Sequence, residues 1–60
     1  MVLLKVDEVA RTLQVSPRIV YRWIHDGRIA SVRVGEKLVR VDERELQFFL
    51  NRERRREGVE

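Results

Sequence analysis

Apolar residues recur along the first part of the chain at helical spacing. Val6, Val9, Ala10 and Leu13 stand at i, i+3, i+4 and i+7, which predicts a short amphipathic helix over "VDEVARTL" with one buried stripe. Asp7 and Glu8 fall in its first turn, where the helix dipole favours anions. Leu4 and Val9 are spaced as a hydrophobic staple around Lys5 as N-cap, with Glu8 at the capping-box position. Lysine is a poor N-cap, so this start is weak. After "QVS", too short for more than a tight turn, Ser16 offers a cap oxygen and Pro17 a preset φ, and a second helix begins. At about 100° per residue, Val20, Trp23 and Ile24 share one side of it, and Arg18, Tyr21, Arg22 and His25 share the other. Gly27 suits the left-handed residue that ends such a helix.

The pattern then changes period. In "IASVRVGEKLVRV" the valines alternate with arginines on both sides of Gly35-Glu36, which predicts a hairpin. A two-residue loop pairs Val32 with Val39 and Ala30 with Val41, and it puts Arg33 and Arg40 together on the opposite side. A third helix is expected from Asp42-Glu43-Arg44-Glu45, a D-x-x-E start similar to a capping box, with Leu46, Phe49 and Leu50 buried and Phe48 pointing away. The expected division is one domain over residues 1–51 and a charged helix end with a frayed tail over 52–60, where Arg52, Arg54, Arg55 and Arg56 are laced with Glu53 and Glu57.

Composition narrows what this small fold can be. With 60 residues the chain buries only about 60% of its unfolded surface, enough for one core and no second domain. It has no cysteine and a single histidine, His25, so neither a disulfide nor a zinc site staples it, and no metal, cofactor or small-molecule ligand is inferred. Its net charge of +3 favours polyanionic partners. The opening "MVLLKVDEVA" has an apolar run too short for a signal peptide or a membrane span, so the expectation is a cytoplasmic, soluble protein. Ser16 and Ser31 lack a plausibly placed base other than His25, and there is no Gly-rich phosphate loop, which argues against an enzyme.

Helix, turn, helix, hairpin wing, helix is the order of a winged helix-turn-helix, mainly α with a small β-hairpin. The stretch "VDEVARTLQVSPRIVYRWIHDGRIASVRVG" resembles the excisionase-type DNA-binding domains of the MerR-like group, and the likeness spans roughly residues 3–50. It is carried by Glu8-Val9-Ala10, Val15-Ser16, Val20-Tyr21-Arg22-Trp23-Ile24, Gly27 and Arg33-Val34-Gly35. The resemblance implies a second helix in the major groove of double-stranded DNA and a wing near the adjacent minor groove or backbone. It assigns base-edge or phosphate roles to Ser16, Arg18, Tyr21 and Arg22, beside Pro17, and backbone roles to Arg33, Lys37 and Arg40. Arginine can pair with guanine bidentately, and the free amides that start a helix suit phosphate. His25, at the distal end of this face, adds a phosphate contact when protonated. Three positions depart from the family pattern: Lys5 replaces Ser or Thr, Gln14 replaces Gly, and the wing tip Gly35-Glu36-Lys37 is less basic.

Against these stand plainer readings. The arginine face can be a solvated helix surface, Trp23 packs in the core more readily than it stacks on a base, and Phe48 is either an ordinary exposed aromatic or a self-association contact on DNA. Two other functions stay open from sequence: a protein-interaction module that docks an acidic partner, and the DNA-binding piece of a longer regulator.

Overall fold

The computed structural model describes residues 1–56, of which Arg55 and Arg56 are described by their backbone alone. Six elements follow one another: β1 (Leu3–Lys5), α1 (Val6–Leu13), α2 (Pro17–His25), β2 (Val32–Val34), β3 (Leu38–Asp42) and α3 (Glu43–Arg56). This is a winged helix-turn-helix with its three helices in the expected places. The sheet has three strands in the order β1-β3-β2, all antiparallel neighbours. Strand β1 is an addition to the hairpin expected from sequence. It pairs Leu3 with Asp42, Leu4 with Val41 and Lys5 with Arg40.

The core lies on one side of that sheet. Val6, Val9, Ala10, Val20, Ile29, Val41, Leu46 and Phe49 are buried, and each element except β2 contributes to the cluster or its margin. Ile29 is the member that periodicity misses. It sits between α2 and β2, outside any repeating pattern, yet only 2% of it is exposed.

The wing corrects the expected register. Val32 lies opposite Arg40, Arg33 opposite Val39 and Val34 opposite Leu38, so the loop is Gly35-Glu36-Lys37, one residue longer than expected. A one-residue slip turns a strand's faces over relative to its partner. Val32 and Val34 therefore share the outer side with Arg40 and Leu38, while Arg33 shares the side of Val39 and Val41; Ala30 is exposed and lies outside the strands. The physical reason is that both strands read Val-Arg-Val, so alternation is satisfied within each strand in either register. Only the loop decides. In the three-residue loop Gly35 takes φ +72°, a left-handed conformation that carries no Cβ penalty at glycine.

Both helices of the helix-turn-helix end in the same way. Gln14 N–H donates to the Arg11 carbonyl at 3.2 Å and Val15 N–H to Ala10 at 3.0 Å; Gly27 N–H donates to Ile24 at 3.1 Å and Arg28 N–H to Trp23 at 2.8 Å. These are paired Schellman bonds, each closed by a left-handed residue. At Gly27 (φ +81°) that conformation carries no Cβ penalty, but at Gln14 (φ +60°) it does.

At the other end of the sheet, Asp42 is 9% exposed. Its Oδ1 accepts the Arg44 N–H at 3.0 Å, and the Glu43 N–H donates to the Val2 carbonyl at 2.9 Å. Two orphan amides of α3 are thus satisfied, one by its own cap and one by the residue that precedes β1. From there α3 runs unbroken through Arg56, so 52–56 continue the helix; Glu57 and the rest of the expected tail lie outside the described residues.

The strain at Gln14 gives the first prediction. Gln14→Gly should stabilise the domain by about 1 kcal/mol, since a non-glycine left-handed residue costs roughly that much. The urea midpoint should rise with an unchanged m-value; a fall would mean that the glutamine side chain, not the backbone, governs this turn.

Candidate nucleic-acid interface

Helix α2 is held so that one side cannot turn outward. Val20 is fully buried, and Trp23 and Ile24 pack against the core. The Trp23 ring meets Phe49 of α3 with centroids 5.2 Å apart and planes inclined by 39°, a favourable tilted aromatic pair. The opposite side is then fixed as the exposed one, and Arg18, Tyr21, Arg22 and His25 all lie there in the open.

The start of the helix is capped and carries no acidic charge. Ser16 has extended backbone and its Oγ accepts the Ile19 N–H at 3.4 Å, with Pro17 in the first turn. The first turn of α1 carries Asp7 and Glu8, and that of α3 carries Glu43 and Glu45, whereas the first turn of α2 carries no carboxylate. Its positive dipole end is left without a resident anion. His25 closes the other end, with Nδ1 3.6 Å from Asp26 Oδ1, so a carboxylate stands beside the imidazole at the edge of this face.

Charge is concentrated in the same region. Residues 16–41 hold six cations (Arg18, Arg22, Arg28, Arg33, Lys37, Arg40) and two carboxylates (Asp26, Glu36), a surplus of four where the whole chain carries +3. The helix-turn-helix and wing thus account for all of the net positive charge.

The wing's cations divide between two sides. Lys37 and Arg40 line one depression together with Tyr21 of α2, Lys5 and Asp7, so three of the residues expected from sequence converge on one spot. Arg40 is half-buried, and its Nη1 donates to the Val39 carbonyl at 2.9 Å. Arg33 is exposed on the other side of the sheet, so the expectation of Arg33 and Arg40 on a common face does not hold. Sequence reasoning passed over Arg28, an exposed cation just after Gly27, and Lys5, which it weighed only as a cap. Among the described residues no three His, Cys, Asp or Glu side chains cluster as a metal site, and no helix is long and apolar enough to cross a membrane.

A two-helix unit with a three-residue turn, an exposed cationic second helix and a β-wing define a helix-turn-helix module. A family model described as a helix-turn-helix domain matches residues 3–54, and the chain belongs to that family. It is a DNA-binding family. No curated protein matches the chain.

Because the aromatic pair ties α2 to α3, a double-mutant cycle on Trp23→Leu and Phe49→Leu should return a coupling energy of about 1 kcal/mol. Additive effects would show that α2 is held by its aliphatic contacts alone.

Proposed function

We propose that this protein reads double-stranded DNA in a sequence-specific manner, with α2 in the major groove and the β2–β3 wing along the neighbouring backbone. In this reading Arg18 and Arg22 reach base edges or phosphates, Ser16, Pro17 and Tyr21 set the register at the helix start, and Lys37, Arg40 and Arg33 grip the backbone from the wing, with His25 at the margin. The biological role that fits is an excisionase-like recombination directionality factor or a small transcriptional regulator.

The observation that carries it is the two-sidedness of α2. Val20 is locked into the core while every residue opposite is cationic, aromatic or polar, and the first turn has been kept free of carboxylates. A module of this size covers only about 600–1,000 Å² of DNA, which gives limited specificity by itself. Two or more protomers on adjacent sites therefore complete the recognition, and Phe48, 58% exposed on α3 beneath Arg52 at 5.8 Å, is an apolar side chain available for contact between them.

Two measurements test the reading. Enrichment of a random duplex library at near-physiological salt should yield a motif with the parent protein, and Arg22→Ala should blur it at one position or two, each bidentate arginine being worth about 1–3 kcal/mol of discrimination. No motif from the parent would end the sequence-specific reading. Separately, Ser16→Asp keeps a good N-cap, so the fold should hold, yet it sets a carboxylate against phosphate. Affinity should drop on the order of tenfold, and undiminished binding would remove the start of α2 from the interface.

A further inference from the structure

Lys5 breaks two local rules at one position. As the residue that caps α1, it has no acceptor to offer the first-turn amides, and it brings positive charge to the positive end of the helix dipole. Only the return half of a capping box forms there, the Lys5 N–H donating to Glu8 Oε1 at 2.7 Å. Across the sheet, Lys5 lies directly opposite Arg40, and like charges at facing positions of an antiparallel pair repel. Both penalties fall at the point where Lys5, Lys37 and Arg40 line one depression beside Tyr21. Asp7 also lines it and offsets one of the three charges.

The depression owes its place to where β1 stops. Strand β1 ends at Lys5, opposite Arg40, and the chain turns into α1 at Val6, so the stretch 37–39 of the wing has no β1 partner on that side. Tyr21 stands at the border and belongs equally to the exposed face of α2. In the binding mode proposed above, the duplex backbone runs past this corner.

We infer that Lys5, with Lys37 and Arg40, seats one phosphate of the DNA backbone in this corner. A single bound phosphate lies between the two facing cations and removes their repulsion. Violations of local preference that a ligand relieves mark a site kept for binding at the expense of the free fold. The seat fixes register and carries no base information. The inference rests on the duplex-binding reading above.

The test exploits the conflict between folding and binding at this position. Lys5→Thr restores a capping oxygen and deletes the cation; Lys5→Met deletes the cation alone. Duplex affinity is measured against salt for the parent and both variants, and thermal unfolding is measured without DNA. Both variants should lower the salt slope by about 0.9, one phosphate contact, and weaken binding equally on matched and mismatched duplexes. Lys5→Thr should at the same time raise the Tm by roughly 4–8 °C, as a recovered cap of typical strength does in a domain this small. Asp7→Asn should bind more tightly with the slope unchanged.

A parent that binds with a steep slope while both variants keep that slope overturns the phosphate seat and leaves the duplex reading standing. Losses that depend on base sequence overturn it too, because a backbone seat is blind to sequence. A parent with no salt-dependent duplex binding overturns the function and the seat together.

Discussion

Strand β3 is the member on which the rest of the domain depends. It is hydrogen-bonded on both sides, to β1 through 40–42 and to β2 through 38–40, and its inward residue Val41 is wholly buried. Its last residue, Asp42, caps α3. Because side chains on a strand alternate, burying Val41 fixes Val39 inward and sends Arg40 and Leu38 outward. One buried valine thereby sets where the wing's cations point, where α3 begins, and which side of the sheet receives α1 and α2.

The helices were legible because their signals are local. The 3.6-residue stripe of α1, the Ser-Pro start of α2, and Gly27 each specify an element from a few neighbouring residues, and the observed bounds of α1 and α2 follow them. The sheet was not, because its information is nonlocal. Leu3–Lys5 shows no alternation to announce a strand, and its partners lie at 40–42. The wing's loop length was equally hidden, since Val-Arg-Val on both sides satisfies alternation whichever way the strands slide. Ile29 escaped for the related reason that an irregular segment has no period to read.

The same division explains the interface. The polar side of α2 could be drawn from sequence because a helix with one apolar stripe determines its own opposite face. The wing could not, and the error there put Arg33 beside Arg40 when they face different ways. Lys5 shows the limit most plainly: as a local residue it is only a bad cap, and its meeting with Arg40 and Lys37 exists only once β1 is paired.

These placements tie stability to binding. Six cations against two carboxylates over residues 16–41 repel one another in the free protein, and a domain this small has little core energy to set against the repulsion. The left-handed Gln14 and the uncapped start of α1 add further local costs, while α1 and α3 keep their own first-turn carboxylates and α2 does not. The charge surplus lies on α2 and the wing, the part that the proposed function sets against DNA. In the proposed complex a polyanion bound there relieves the repulsion and gives the start of α2 an anion, which adds to the stability of the folded state. Whatever binds the native state and not the unfolded chain raises its stability by mass action. On the proposed function, the cationic face costs the free domain stability that bound DNA returns.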